Sequence, residues 1–165
     1  MKKILLFLTT ILIFTSCSKD DETTPIVVVP TPTPTQTSVV KATVNGVNKT
    51  YNVISISEVT YTGPYAGDYI ILNASIDGSS SNNIEFTIRK NQTGTGAKGS
   101  ITLINNGASH YDTFIGDTYE LNLNVTANNT TKITGSFSGN IGYIDPNTSE
   151  TTPVPVTNGT IEYYY

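Results

Sequence analysis

Apolar and polar residues alternate along most of the chain after residue 38, which is the pattern of half-buried antiparallel strands. In the first such stretch, Val40, Ala42 and Val44 share one face. Asn45 and Gly46 follow at once, and both residues tolerate the positive φ angles of a two-residue hairpin turn. The sequence therefore predicts that the domain opens with a β-hairpin.

The same alternation predicts further strands along the rest of the domain. A second strand is predicted over residues 48–59, and a third over 69–76, ending at a turn at Asp77 and Gly78. Ile84, Phe86 and Ile88 are expected to face inward, and Glu85, Thr87 and Arg89 outward. A fifth strand is predicted over residues 100–104.

The clearest alternation lies in the last third of the chain. The inward residues predicted there are Tyr119, Leu121, Leu123, Val125, Ile133, Phe137, Ile141 and Tyr143. Asn122 and Asn124 are predicted to face outward. Gly135 and Gly139 interrupt the next inward face, where glycine commonly marks a bend or the close approach of another backbone. A final strand ends in three tyrosines, Tyr163–Tyr165.

These strands predict an all-β domain over residues 38–165, because no window shows the apolar period of an amphipathic helix. About eight antiparallel strands at short spacing are typical of a β-sandwich or a flattened β-barrel. The alternation does not distinguish between these two architectures.

The first residues have a different pattern. Lys2 and Lys3 precede an apolar run of eleven residues, 4–14. As a helix this run would reach roughly 16 Å, about half of a hydrocarbon core of ~30 Å, so it is too short to span a membrane. A basic start followed by a short apolar run is typical of a secretory signal peptide, here predicted over residues 1–16.

The residues after this run carry a resemblance to bacterial lipoproteins. Thr15 and Ser16 precede Cys17, the one cysteine of the chain, and together they resemble a lipobox. In that family the cysteine sulfur receives a diacylglyceryl group and the cysteine becomes the acylated N-terminus, with palmitate a usual acyl chain. Phe14 stands where the family usually has leucine. The resemblance implies that Cys17 anchors the mature chain to a membrane, and a lone cysteine cannot form an internal disulfide.

The stretch after Cys17 also predicts a location. Lys19, Asp20, Asp21 and Glu22 resemble the export signal of surface lipoproteins from Bacteroidetes-type bacteria. The resemblance implies an outer-membrane protein facing the medium; the alternative is a charged, solvated tether. Proline and threonine dominate the rest of the predicted linker, 17–37, which is expected to be disordered and extended. Twenty residues of such a linker could reach about 60 Å.

Three segments of the domain carry a second resemblance. They are "KATVNGVNKTY" (41–51), "KITGSFSG" (132–139) and "VTNGTIEY" (156–163). They resemble turn and strand motifs of uncharacterised, single-domain Bacteroidetes lipoproteins, except that Ile161 stands where the family often has phenylalanine. The resemblance implies an all-β domain of unknown function and no assigned activity.

The net charge and the placement of the acidic residues and the histidine argue against two classes of function, nucleic-acid binding and catalysis. Loss of residues 1–16 would remove Lys2 and Lys3, leaving seven Lys and Arg against 13 Asp and Glu, a net charge of −6. This balance argues against nucleic acid as a partner. The carboxylates are scattered without a facing pair, and the one histidine, His110, is expected in a polar loop. The sequence therefore predicts no catalytic residues, no metal site, no cofactor and no enzymatic activity.

Tyrosine is the remaining compositional feature. All ten tyrosines lie in the domain, and Tyr61 and Tyr65 fall in the Gly- and Pro-containing stretch "YTGPYAGDY" between two predicted strands. A rigid ring with a hydroxyl suits contact with a sugar or a protein, so these two are the candidate ligand-binding residues. The predicted role is non-enzymatic binding or envelope structure. The alternatives are a glycan-binding or adhesin-like module and a subunit of a larger surface complex.

Overall fold

Ten antiparallel strands and two short 3-10 turns form the part of the chain that the structure, a computed structural model, describes: residues 36–111, 119–144, 148 and 151–165. The strands are β1 (Val39–Val44), β2 (Val47–Tyr51), β3 (Val53–Tyr61), β4 (Gly67–Ser75), β5 (Asn82–Arg89), β6 (Lys98–Asn105), β7 (Ala108–Tyr111), β8 (Leu121–Asn128), β9 (Lys132–Ile144) and β10 (Thr151–Tyr164). The 3-10 turns are Gly63–Tyr65 and Thr95–Ala97. The predicted all-β class is confirmed. None of the described residues belongs to a helix long and apolar enough to cross a bilayer.

All strands belong to one sheet in the order β2-β1-β10-β9-β7-β6-β5-β4-β3, with β8 also pairing with β9. The long strand β9 carries two partners along the same edge. Its residues 133–139 pair with β8, and Gly142 and Tyr143 pair with β7. The sheet therefore divides beyond β9, which bends one half of it over the other.

A single residue, Asn52, connects β2 and β3, the two ends of this strand order. The sheet must therefore curl until its two edges meet at that point, which gives a half-barrel. The Asn52 N–H donates to the Ser75 carbonyl at 3.1 Å. Its side chain exchanges two hydrogen bonds of 2.8 Å with Asp77, one to the carboxylate and one from the backbone N–H.

Two contacts between distant strands show the curl directly. Lys49 of β2 donates through Nζ to Asn82 Oδ1 at 2.8 Å and to Asn105 Oδ1 at 2.6 Å, so it links one end of the sheet to β5 and β6. Partial burial lowers the pKa of this lysine. The rings of Phe86 and Phe137 meet edge to face at 5.0 Å between β5 and β9. These two rings lie in the core, between the facing halves of the sheet.

The inward residues predicted from alternation form most of this core. All three apolar residues named for β1 are buried, and Asn45 and Gly46 form the predicted turn with φ angles of 48° and 78°. The other buried residues predicted to face inward are Ile84, Phe86, Ile88, Leu121, Leu123, Val125, Ile133, Phe137 and Ile141. Since these side chains are nearly all fully buried, apolar burial is the main stabilising term of the fold.

The two glycines predicted to mark close approach do so. A Cβ at Gly135 would lie 2.8 Å from the Asn124 carbonyl oxygen, and one at Gly139 would overlap the Glu120 carbonyl oxygen. Gly139 also has a φ of +144°, which disfavours other residues. Any side chain at either position would push β8 away from β9.

Two strand predictions need correction. The strand predicted over 48–59 is broken at Asn52, because the chain leaves β1 there and continues as the partner of β4. The described residues form ten strands, where about eight were predicted. One of the strands missed is β7, which is only four residues long and follows a turn at Asn106 and Gly107 with positive φ angles.

One residue placement is right in direction, and another is wrong. Thr87 was predicted to face outward and does alternate with the core residues, although it is only 8% exposed. Gly99 lies against the Thr87 side chain. Thr87 also lines a surface cleft together with Tyr61, Tyr65 and Tyr69. His110 was predicted in a loop and lies instead on β7, buried, with Nδ1 2.8 Å from the Ala108 carbonyl oxygen and its ring stacked near Tyr143.

Tyr51 contributes an uncompensated polar group to the core. Its side chain is fully buried, and its hydroxyl has no hydrogen-bond partner among the described residues. Burial raises the pKa of Tyr51 from 10 to about 12. A buried hydroxyl without a partner loses its bonds to water and gains none, so it reduces stability.

We expect Tyr51→Phe to raise the free energy of unfolding by about 1 kcal/mol at pH 7, because it removes this unpaired hydroxyl. The difference from the wild type should widen as the pH rises from about 10 to about 12. In that window Tyr51 ionises in the unfolded chain while it stays protonated in the fold, so wild-type stability falls. Urea denaturation across this pH range measures both effects.

Tyr119→Phe is the matched control, since the Tyr119 hydroxyl donates to the Thr151 carbonyl at 3.2 Å. Its loss should lower the free energy of unfolding by about 1 kcal/mol. If Tyr51→Phe destabilised the protein by as much as the control, the Tyr51 hydroxyl would have a partner and the interpretation would be wrong.

Candidate ligand-binding site

A short loop at the end of β3 positions the two tyrosines predicted as ligand-binding residues. Tyr61 is the last residue of β3, and Gly63, with a φ of 83°, turns the chain into the 3-10 turn that contains Tyr65. The Ala66 N–H closes this turn by donating to the Gly63 carbonyl at 3.1 Å. The loop leaves Tyr61 41% exposed and Tyr65 60% exposed.

Tyr69 joins these residues in a third position that sequence reasoning did not select. The rings of Tyr61 and Tyr69 meet edge to face at 5.3 Å, and the Tyr69 hydroxyl donates to the Tyr65 carbonyl at 3.3 Å. The Arg89 guanidinium lies 5.4 Å from the centre of the Tyr69 ring, on the neighbouring strand. Tyr69 is therefore a fixed, nearly buried support for the two exposed rings.

A signal for Tyr69 was available in the alternation of β4. Ile70 and Leu72 lie in the core, so Tyr69 must point to the opposite face, toward the side where the loop returns. An aromatic residue on that face, beside a loop that carries two more, is the pattern that could have identified it.

The three tyrosines line an open cleft of about 190 Å³, which we call the tyrosine cleft. Its lining residues are Tyr61, Tyr65, Tyr69, Thr87, Gly99 and Ser100. A Cβ at Gly99 would lie 2.9 Å from the Thr87 carbonyl oxygen, so no larger residue fits there without displacing Thr87. Ser100 Oγ lies 3.2 Å from Thr87 Oγ1 and donates to it.

The cleft combines aromatic walls with a small polar base. It is smaller than the roughly 300–1,000 Å³ of pockets that enclose drug-sized molecules. It can therefore take one ring-sized group at the surface, with apolar contact from the tyrosines and hydrogen bonds from hydroxyl groups.

The described residues contain no group of three His, Cys, Asp or Glu side chains that could hold a metal ion. Lys90 pairs with Glu58 at 2.6 Å, and Lys98 lies 3.6 Å from Glu120. The hydrogen bond that Lys90 donates to the Glu58 carboxylate raises the pKa of Lys90. The Lys90–Glu58 pair is solvent-exposed and of modest energy, and neither pair lines the tyrosine cleft.

The residues predicted for anchoring and export, Cys17, Lys19, Asp20, Asp21 and Glu22, lie outside the described residues, so lipidation and export remain predictions. Comparison of the whole chain with known proteins gives no further assignment: no family model, no curated protein and no solved structure matches it.

Proposed function

We propose that this protein is a lipid-anchored surface protein whose β-domain binds a glycan at the tyrosine cleft without transforming it. The observation that carries the proposal is the convergence of Tyr61, Tyr65 and Tyr69 on one exposed cleft. Exposed tyrosines held on a sheet provide preorganised contact area, which limits the entropy lost on binding.

The chemistry of the cleft fits a sugar ring. The C–H face of a sugar packs against an aromatic ring, while its hydroxyl groups need donors and acceptors at the edges. Thr87 and Ser100 supply hydroxyl groups, and the exposed Tyr61 and Tyr65 supply both rings and hydroxyls. The net negative charge of the chain favours a neutral glycan over an anionic one.

The anchor belongs to the same proposal. Cys17, preceded by a basic and apolar leader, would carry the acyl chains, and Lys19 to Glu22 would direct the protein to the outer surface of the outer membrane. Each buried methylene contributes about 0.8 kcal/mol, so two or three acyl chains would hold the protein almost permanently. A Pro- and Thr-rich linker would keep the domain away from the bilayer.

A second candidate function, a subunit of a larger surface complex, is favoured by the free edge of β3. Among the described residues this strand of nine residues pairs with β4 alone, and it has neither proline nor lysine. Its one charge, Glu58, is paired with Lys90. Natural proteins usually protect such an edge, because it can add a strand from another chain. The occupant proposed here is an extended segment of a partner protein.

The glycan proposal predicts that Tyr61→Ala with Tyr65→Ala lowers affinity at least tenfold, equal to about 1.4 kcal/mol, for the glycan that wild-type protein retains on a glycan panel. Both side chains are exposed, so the melting temperature should stay within about 2 °C. Tyr165→Ala is the control, since Tyr165 is 55% exposed and does not line the tyrosine cleft. Equal binding by the double variant, or no glycan bound by wild type, would contradict the proposal.

If Cys17 carries the lipid anchor, the Cys17→Ala variant should lose both labelled palmitate and retention in the cell envelope, since one thioether supplies both. Ser18→Ala, beside it, should keep both. Alanine at Lys19, Asp20, Asp21 and Glu22 should leave lipidation intact but protect the protein from external protease on whole cells. Palmitate on the Cys17→Ala chain would refute the anchor, and unchanged protease access would refute the export signal alone.

If the protein joins a complex through β3, the Ser55→Lys, Ser57→Lys double variant should recover no partner proteins in a pull-down from detergent-solubilised membranes. Lysines on an edge strand block the addition of another strand. Both serines are exposed on β3. Ser80→Lys, in the exposed turn between β4 and β5, adds a lysine away from the edge and should keep the partners. A wild-type protein recovered alone would eliminate this second function, and recovery as a dimer of itself would replace the partner with a second copy.

A further inference from the structure

A second hollow, larger than the tyrosine cleft, lies on the outer face of β8, β9 and β10. Its volume is about 530 Å³. The lining residues are Thr95, Asn122, Leu123, Asn124, Ser136, Phe137, Ser138, Thr157, Asn158 and Gly159. We call it the amide groove. Leu123 and Phe137 lie at its base, so its lining combines apolar surface with amide and hydroxyl groups.

The strand register sets these groups in rows. Asn122 pairs with Ser138, and Asn124 pairs with Ser136, so amides and hydroxyls stand side by side across β8 and β9. None of the described residues that line the groove is charged. Within the described part of the chain, none of their polar side chains makes a hydrogen bond. Thr126 and Thr134, nearby on the same two strands, do bond to each other, at 2.8 Å. The groove therefore offers a set of free neutral donors and acceptors.

A β-bulge in β10 forms one rim of the groove. The pairing of β10 with β9 shifts between Val156 and Gly159, which leaves Thr157 and Asn158 opposite Ser138. Asn158 has a φ of 52°, and a Cβ at Gly159 would overlap the Phe137 carbonyl oxygen. Since bulges fix the direction of side chains near binding sites, the rim is preorganised rather than formed on binding.

One segment separates the amide groove from the tyrosine cleft. Thr95 lines the groove, and Gly99 and Ser100 line the cleft. Five residues of chain reach at most about 18 Å, so the two hollows lie within that distance where they approach this segment. Gly94 holds the segment on β8 through two backbone hydrogen bonds with Val125, of 2.7 and 3.3 Å.

We propose that the amide groove is a second subsite for the same glycan and that the protein binds linear, neutral polysaccharide chains. The inference rests on the proposed function. The tyrosine cleft holds one sugar ring by stacking, and the groove holds further residues of the same chain by hydrogen bonds to their hydroxyl groups. Free amides and hydroxyls without charge match a neutral polyhydroxylated chain and provide no counter-charge for an anionic one.

Calorimetry with size series of cello-, xylo- and manno-oligosaccharides, from dimers to octamers, tests the inference, with polygalacturonate as the anionic probe. Affinity of the wild-type protein for one of the three series should rise at least about tenfold from dimer to octamer, because longer chains reach both hollows. In Asn122→Ala with Asn124→Ala this rise should fall below about twofold. Thr160→Ala, an exposed hydroxyl on β10 outside the groove, should keep the wild-type rise.

The outcomes separate the inference from the proposed function. Equal affinity for dimers and octamers, or an unchanged rise in the asparagine variant, would refute the groove as a subsite and leave the tyrosine cleft standing. Binding to polygalacturonate and to none of the neutral series would refute the inference that the ligand is a neutral polysaccharide. If no series and no panel glycan bound at any length, the proposed function itself would fail. The asparagines are exposed, so a melting temperature within about 2 °C of wild type confirms that the variant is folded.

Discussion

The one-residue connection at Asn52 is the constraint on which the rest of the structure depends. It joins the two strands that stand at opposite ends of the sheet, so the sheet cannot remain open at that point. Three hydrogen bonds hold the junction: one joins the Asn52 and Ser75 backbones, and two join the Asn52 side chain to Asp77. With the two end strands connected through Asn52, the apolar faces of the two halves close on each other, and Phe86 meets Phe137. The outward faces are then left to carry both hollows.

On the outer face, glycines allow the backbones of neighbouring strands to pack closely. Gly135 and Gly139 bring β9 against β8, and Gly159 lets the β10 bulge lie against Phe137. Without side chains at these positions, three strands approach closely enough for their outward amides and hydroxyls to form one surface. Gly99 has the same role beside Thr87 in the tyrosine cleft. The shape of both candidate subsites is thus set by the backbone, which limits the reorganisation needed on binding.

The alternation of apolar and polar residues predicted which strand faces are buried, because it depends only on neighbouring residues. Alternation identified the buried faces of β1, β5, β8 and β9 because side-chain period and burial are linked in any half-buried strand. It could not find the break at Asn52, since the residues on both sides keep strand-like character and only the change of partner ends the strand. Tyr61 and Tyr65 were identifiable from their loop. Tyr69 and the amide groove were not, because they depend on which strands become neighbours, and that is a long-range property.

Under the proposed function, the open form of the two hollows favours display of many copies over a single copy. Tyr61 and Tyr65 remain about half exposed, and the asparagines of the groove lie at the surface, so a single domain should bind a glycan weakly and release it quickly. Lipid anchoring through Cys17 would place such domains together on one membrane. A polysaccharide chain that contacts several of them would then dissociate far more slowly than from one, without any stronger contact at each site.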